Sequence, residues 1–284
     1  MSLPLPAGAT LYDIAPGVTL LRLAHDRFDA RLSLLGAQLL DYTRHGEPPL
    51  LYLSPAAVFQ PGKAIRGGIP LCWPWFGAHP EDPAAPAHGV ARQQAWILQQ
   101  VTRDTDGFSI QLAGPRYGAL EAQLDLRLDD AVELALTTHN HGSAPAPLSA
   151  ALHSYLAVGD IDGATLTGLA GASYLDQLQG QSSHFAREPL RFEREIDAIV
   201  YPDGPLTLHD AAWQHSVTIS AAGSASSVVW NPWIAKSARL ADLPDDGYRH
   251  FVCVETANAG RDARLLAPGE SHTLRTRLSM QPAS

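Results

Sequence analysis

The sequence predicts an all-β protein, folded as one large antiparallel β-sandwich. Three observations lead to this prediction: apolar and polar residues alternate repeatedly, helical periodicity is nearly absent, and 23 glycines and 22 prolines are spread over the whole chain, as many turns require. No stretch repeats with a period of about 20–50 residues, and no change in composition marks a domain boundary. We therefore expect one domain over residues 1–284.

The clearest single element is a β-hairpin in the middle of the chain. Residues 124–128 (LDLRL) and 132–136 (VELAL) both alternate, and two aspartates lie between them. Residues 274–280 (LRTRLSM) alternate in the same way, so we expect their even-numbered side chains on one side of a strand. Shorter strands, each bounded by Gly, Pro, Asn or Ser, are expected at residues 108–114, 216–223 and 226–233.

The composition limits the classes of function. With 45% hydrophobic and 17% charged residues, and no apolar run of about 18 residues, the chain is typical of a soluble globular protein rather than a membrane protein. The first residues lack the basic and apolar regions of a secretion signal, so we expect a cytoplasmic protein. The formal net charge of −9 disfavours nucleic acid as a partner, but a small anionic substrate fits a local cluster of cations. Cys72 and Cys253 are expected to be free thiols.

Residues 65–77 (IRGGIPLCWPWFG) form the most unusual segment. Arg66 is followed by a Gly-Gly pair, two prolines and two tryptophans. We therefore expect neither a regular helix nor a central strand. Trp73 and Trp75 near a guanidinium suit a ligand with an apolar face and an anionic or hydroxylated edge, such as a sugar phosphate. The alternative is a packed loop in which both tryptophans fill the core and Arg66 makes a structural hydrogen bond.

Two further segments carry histidines. His88 and Arg92 are the first and last residues of the sequence HGVAR, just before a predicted strand. There His88 can contact a substrate oxygen and Arg92 a phosphate. The alternative is a turn histidine and a surface arginine. His153 lies in an apolar stretch, residues 150–158 (AALHSYLAV), that is typical of a strand. Histidine exchanges protons near neutral pH, although a hydrogen-bonded core histidine is the alternative here.

Glu255 ends an apolar run in the sequence FVCVE. In a strand, Phe251, Cys253 and Glu255 share one face, so the carboxylate is expected to point where the buried side chains point. A buried carboxylate must be paired or functional, because leaving it alone in an apolar environment is costly. Glu255 is therefore the best candidate for a catalytic base whose pKa is set by its surroundings.

In this order, the segments resemble the aldose 1-epimerase (galactose mutarotase-like) superfamily. Within it they are most similar to the hexose-6-phosphate mutarotases, also called glucose-6-phosphate 1-epimerases. The resemblance covers most of the chain and rests on IRGGIPLCWPWFG, HGVAR, LHSYLAV, EIDAIVY, VVWNPW and FVCVE. It implies a β-supersandwich that interconverts the α and β anomers of a hexose 6-phosphate without a cofactor or a metal.

The resemblance also implies roles for individual residues. His153 matches the family's catalytic acid, and Glu255 matches its catalytic base. Arg66 and Arg92 are the expected phosphate contacts, and Lys63 and Lys236 are weaker candidates. The positions that match substrate-binding residues are Arg66, His88, Arg92 and Asp197. Three residues depart from the family's usual pattern: Val90, Ala235 and Thr256. None of these departures removes a chemical group from the expected site, so what they put in doubt is the substrate preference.

Two other functions remain open on the sequence. A non-catalytic carbohydrate-binding module on the same fold is expected to lose His153 or Glu255, and both are present. A glycoside hydrolase or lyase needs a pair of carboxylates about 5–10 Å apart, which Asp197 and Glu255 could supply. The expected partner is a hexose 6-phosphate, and the expected assembly is a monomer or a weak homo-oligomer.

Overall fold

The structure is a computed structural model that describes residues 3–282, and β-strands dominate it. Within that range there is one short α-helix, α1 (Trp233–Ser237). Four 3-10 segments accompany it: Ala91–Gln93, Ile161–Gly163, Gly247–His250 and Gly260–Asp262. The 23 strands within residues 3–282 are β1 Ala9–Ala15, β2 Val18–Ala24, β3 Phe28–Ser33, β4 Gln38–Arg44, β5 Leu71–Cys72, β6 Ile97–Arg103, β7 Phe108–Tyr117, β8 Leu120–Leu128, β9 Ala131–Asn140, β10 Ala146–Leu148, β11 Ala150–Leu152, β12 Tyr155–Ala157, β13 Ala164–Thr167, β14 Ser173–Asp176, β15 Gln181–His184, β16 Leu190–Arg191, β17 Ile196–Tyr201, β18 Leu206–Asp210, β19 His215–Ala222, β20 Ser226–Asn231, β21 Phe251–Asn258, β22 Arg264–Leu266 and β23 Ser271–Pro282.

Two large antiparallel sheets pack face to face. One has nine strands in the order β16-β13-β18-β19-β23-β9-β8-β7-β6, and the other has eight, β15-β14-β17-β20-β21-β11-β5 with β12 also on β21. Leu136 and Leu278 from the first sheet share a hydrophobic cluster with Val252 and Val254 from the second. Strands β1 to β4 form a further sheet, and β10 pairs with β22. The predicted antiparallel sandwich is confirmed.

The predicted hairpin consists of β8 and β9, with Leu128 paired to Val132 across the turn. The backbone N–H of Ala131 donates to Asp129 Oδ1 at 3.0 Å, a local bond that helps to fix the turn. Every second residue of β8 is buried, and so are the four even-numbered residues from 274 to 280 in β23. Both alternation patterns therefore have the orientation that the sequence predicts.

Strand β21 lies in the interior of the eight-stranded sheet and is buried on both faces. Val252 and Val254 point into the core between the sheets, so Cys253 and Glu255 lie on the opposite, outer face. Strand side chains on this outer face, together with a few loop residues such as Leu243, form a second, smaller hydrophobic cluster. Glu255 therefore points among buried side chains, as predicted.

The sequence predicts one strand over residues 150–158, but the structure has two short strands there, β11 and β12. The ladder is interrupted between β11 and β12 because the N–H groups of His153 and Ser154 donate to the carbonyls of Pro70 and Leu152, at 3.0 and 2.9 Å. The register against β21 nevertheless continues through the break, with Leu152 opposite Thr256 before it and Tyr155 opposite Cys253 after it. This register puts His153 opposite Glu255.

Three sequence-based expectations concern thiols, membranes and metals. Cys72 and Cys253 are free and fully buried, as predicted. No helix within residues 3–282 is long and apolar enough to cross a membrane. Over the same residues, no group of three or more His, Cys, Asp or Glu side chains is arranged to hold a metal ion.

Candidate active site

A cavity of about 340 Å³ opens on the outer face of the eight-stranded sheet. Strand alternation explains which residues reach it, because Glu255 and Asp197 lie on the face of their strands that points away from the core. The cavity brings together residues that are widely separated along the chain. Its lining includes all six polar residues singled out by the sequence and the resemblance: Arg66, His88, Arg92, His153, Asp197 and Glu255.

His153 and Glu255 form a direct pair within this cavity. His153 Nε2 lies 3.3 Å from Glu255 Oε1, and both side chains are buried, Glu255 with only 1% exposed. Glu255 Oε2 and His153 Nδ1 have no hydrogen-bond partner within residues 3–282. Buried polar atoms are normally paired, so these two atoms have unused hydrogen-bonding capacity beside the cavity.

The surroundings shift the pKa values of this pair in opposite directions. Burial raises the pKa of Glu255 well above its ordinary value, and the negative charge of Asp197 adds to the effect. Burial lowers the pKa of His153, and the neighbouring His88 and two arginines act in the same direction. Both directions favour a pair that holds one proton and carries no net charge, with the proton on Glu255.

Arg66 is fixed by two hydrogen bonds at one side of the cavity. Its Nε donates to Asp242 Oδ1 at 3.1 Å, and its Nη1 donates to the hydroxyl of Tyr155 at 3.0 Å. Glycine is required at the next position, because Gly67 has φ +111° and an added Cβ would lie 2.4 Å from the carbonyl oxygen of Tyr52. The guanidinium is therefore held in place before any ligand binds.

His88 and Arg92 lie near Arg66. The backbone N–H of Gly77 donates to His88 Nδ1 at 3.3 Å. Burial and the charges of Arg92 and Arg66 lower the pKa of His88 to about 4, so its ring is neutral and Nε2 carries the proton as a hydrogen-bond donor. Arg92 Nη2 donates to the carbonyl of Ala87 at 2.9 Å, whereas its buried Nε has no partner within residues 3–282.

Asp197 belongs to a group of compensated charges. Gln177 Nε2 donates to Asp197 Oδ1 at 2.6 Å, and Lys236 Nζ lies 3.8 Å from Asp197 Oδ2 and 3.1 Å from Glu195 Oε1. Burial raises the pKa of Asp197. Lys236 lines the cavity but is already matched by two carboxylates, and Lys63 does not line it.

Trp73 and Trp75 do not line this cavity, which corrects the prediction that they bind its ligand. In the short strand β5, Cys72 faces outward, so the next residue, Trp73, points into the core, where its Nε1 donates to Thr138 Oγ1 at 2.9 Å. Trp75 Nε1 donates to the carbonyl of Pro86 at 3.0 Å, and its ring borders a separate cavity of about 490 Å³. The packed-loop alternative describes both rings.

Four residues that shape the site were missed by sequence reasoning. Phe76 and Trp230 line the cavity, and the Trp230 ring centroid is 5.9 Å from that of His153. Tyr155 and Asp242 hold the guanidinium described above. Tyr155 follows His153 by two residues in an extended segment, so alternation gave a usable signal for it. Asp242 gave none, because its partner is 176 residues away in the sequence.

Comparison with known proteins identifies the family of this chain. A family model described as aldose 1-epimerase matches residues 19–279, so the chain belongs to the aldose 1-epimerase family, a class of isomerases. A protein of Escherichia coli (strain K12) named "Putative glucose-6-phosphate 1-epimerase" is 32% identical over 260 residues, which cover 87% of this chain and 86% of that protein.

Solved structures extend the likeness to the fold. The crystal structure of a Salmonella typhimurium protein described as a "putative mutarotase" matches with a TM-score of 0.91 at 27% identity, covering 99% of this chain and 96% of that one. A galactose 1-epimerase from Lactobacillus acidophilus NCFM matches with a TM-score of 0.71 at 13% identity, covering 99% and 100%. The second likeness concerns the fold alone, which is galactose mutarotase-like.

Proposed function

We propose that the protein is a hexose-6-phosphate 1-epimerase, which interconverts the α and β anomers of a substrate such as glucose 6-phosphate. The observation that carries the proposal is the buried His153–Glu255 pair, 3.3 Å apart, in a cavity that also contains two arginines. The aldose 1-epimerase family and the name of the Escherichia coli relative support the same reaction and the same substrate class.

The reaction requires two proton transfers. The O1 hydroxyl of the sugar loses a proton while the ring oxygen O5 gains one, and the C1–O5 bond breaks to give an open aldehyde. Rotation about C1–C2 presents the other face, and the reverse transfers close the ring. Glu255 takes the O1 proton as the base and His153 protonates O5 as the acid, each contributing about 10²–10⁴-fold.

The pair has the right number of protons for this chemistry. One proton shared between Glu255 and His153 leaves one group able to accept and the other able to donate, and ring closure restores the starting state. Burial favours this proton on Glu255, whereas the reacting form holds it on His153. No metal or nucleotide takes part in any of these transfers.

The remaining residues account for binding. Arg66 and Arg92 are the phosphate contacts, because guanidinium donors match phosphate oxygens in geometry and charge. His88 offers a neutral donor and Asp197 a carboxylate acceptor, which suit sugar hydroxyls. Phe76 supplies an apolar surface for the sugar ring.

Phosphate selectivity is tested by comparing glucose 6-phosphate with free glucose in NMR measurements of anomer exchange. For Arg66→Ala we expect KM for glucose 6-phosphate to rise about tenfold or more, since hydrogen bonds to charged groups contribute about 1.5–3 kcal/mol. The KM for free glucose should change little. Arg116→Ala, which removes an exposed arginine paired with Glu121 outside the cavity, is the control. Equal effects of Arg66→Ala on both sugars would contradict the proposed phosphate contact.

A further inference from the structure

Tyr155 connects the arginine side of the cavity to the acid–base pair. Its hydroxyl accepts a hydrogen bond from Arg66 Nη1 at 3.0 Å. Its ring is stacked on the ring of His153, with centroids 4.8 Å apart and planes within 9° of parallel. The side chain of Tyr155 therefore contacts both Arg66, the expected phosphate-binding residue, and His153, the expected acid. The proposed mechanism assigns Tyr155 no role.

The surroundings keep Tyr155 in one position. The ring is 2% exposed and packs against Phe251 and Trp230, at centroid distances of 5.0 and 6.0 Å. Burial raises the pKa of its hydroxyl, which stays protonated. Arg66 is held on its other side by Asp242. The side chain that joins the guanidinium to the imidazole is therefore held rigidly.

The charges that face His153 come from several segments of the chain. Glu255 lies opposite it on β21, and the ring of His88 is 6.2 Å away. The cations Arg66 and Arg92 disfavour the protonated imidazole, since like charges repel strongly at a site with little water. A phosphate bound to both guanidiniums offsets this repulsion and makes a proton on His153 easier to hold.

We propose that Tyr155 is a positioning residue that couples phosphate binding at Arg66 to His153, so that the 6-phosphate accelerates the proton transfers as well as anchoring the sugar. The proposal rests on the proposed function, because it assumes that a hexose 6-phosphate is turned over. It predicts that the phosphate group raises kcat in addition to lowering KM. A purely anchoring phosphate would change KM alone.

The first test removes only the hydroxyl. For Tyr155→Phe, which keeps the ring stacked on His153, we expect kcat for glucose 6-phosphate to fall about three- to tenfold towards the kcat for free glucose. The kcat for free glucose should fall by a smaller factor, because that sugar carries no phosphate for Tyr155 to couple to His153. Tyr42→Phe is the matched control, since it removes a buried hydroxyl that donates to the carbonyl of Asp129 away from the cavity.

The second test supplies the anion separately from the sugar. Xylose, which lacks the C6 arm and leaves room for an anion, is mixed with sulfate, a dianion too weakly basic to catalyse ring opening in solution. Sulfate should raise the enzymatic exchange of xylose saturably, at concentrations at which it competes with glucose 6-phosphate. Tyr155→Phe and Arg66→Ala should reduce this activation, and Tyr42→Phe should not.

The outcomes separate the inference from the proposed function. Suppose that wild type exchanges glucose 6-phosphate fast, but Tyr155→Phe changes KM alone or affects both sugars equally. That result overturns the inference and leaves the proposed function standing. Competition by sulfate without activation of xylose exchange overturns it as well. Wild type that exchanges no hexose 6-phosphate faster than buffer overturns the proposed function, and this inference falls with it.

Discussion

At the scale of single residues, the His153–Glu255 pair shows how burial selects a protonation state. In water at about pH 5 to 6 a glutamate is mostly ionised and a histidine is mostly protonated, but here both side chains are buried. Burial raises the pKa of the carboxyl and lowers that of the imidazole, so the uncharged form is favoured. In the proposed mechanism, a sugar that donates a hydrogen bond to Glu255 Oε2 and a phosphate near Arg66 shift the balance towards the charged, reacting form.

The raised pKa of Glu255 predicts a pH-dependent effect on stability. A folded-state pKa above the ordinary value of 4.5 means that the native state loses stability as pH rises from that value towards the raised pKa. Glu255→Gln has no such proton to lose. We expect its free energy of unfolding, relative to wild type, to grow by about 1 kcal/mol or more between about pH 5 and pH 8, as one pKa unit corresponds to about 1.4 kcal/mol.

Urea unfolding at the two pH values measures this difference. Asp104→Asn is the control, because Arg127 and the backbone N–H groups of Asp106 and Gly107 hold the pKa of Asp104 well below its ordinary value, so that it is ionised throughout this range. Its difference from wild type should therefore stay constant. If the free energy of unfolding of Glu255→Gln, relative to wild type, stays constant or falls as pH rises, Glu255 is not a buried group with a raised pKa.

At the scale of elements, strand alternation explains which residues of the site were foreseeable. Glu255 lies in a regular strand, so counting by two from neighbouring apolar residues predicts its face correctly. Asp197 also lies in a regular strand but was named from the family resemblance alone. Trp73 follows a strand of only two residues in an irregular segment, and no such counting was available. Its assignment to the ligand was therefore wrong, although Arg66 from the same segment reaches the cavity.

A glycine fixes the loop that carries His88. Gly89 has φ +75°, and an added Cβ would lie 2.0 Å from the carbonyl oxygen of Trp73. We expect Gly89→Ala to lower the free energy of unfolding by about 3 kcal/mol or more, as large losses follow where strain and a clash combine. Urea unfolding measures the loss.

The matched control is another glycine with a positive φ. Gly180 has φ +68°, and an added Cβ there would meet nothing within 4 Å. Gly180→Ala should cost only about 1 kcal/mol, the conformational cost of a left-handed residue with a side chain. Similar losses in the two variants would mean that the contact between Gly89 and Trp73 is not close.

At the scale of the whole molecule, the sequence predicted the class of fold but not its arrangement. Alternation in β8, β9 and β23 reports which side of each strand is buried, and the structure agrees. The order of strands within the sheets depends on pairings between distant segments, such as β5 with β11, about which local patterns carry no information. The contact of Asp242 with Arg66 depends on the same long-range packing.

Both thiols lie deep in the structure, which predicts their reactivity. Cys72 and Cys253 are 0% exposed, and burial raises the pKa of both, that of Cys72 to about 12. Since the thiolate is the reactive form, we expect negligible alkylation by iodoacetamide in the native protein and rapid modification of both residues in urea. Mass spectrometry reads out the result, and fast labelling of the folded protein would contradict the packing of the outer face.

The central claim, that His153 and Glu255 exchange protons with a sugar phosphate, is tested most directly by NMR measurement of anomer exchange on glucose 6-phosphate. Wild type, His153→Ala and Glu255→Gln are compared at equal concentration, with circular dichroism to show that each is folded. We expect fast exchange in wild type and a loss of about 10²-fold or more in each variant. Exchange that persists in either folded variant at the wild-type rate would contradict the assignment of the pair.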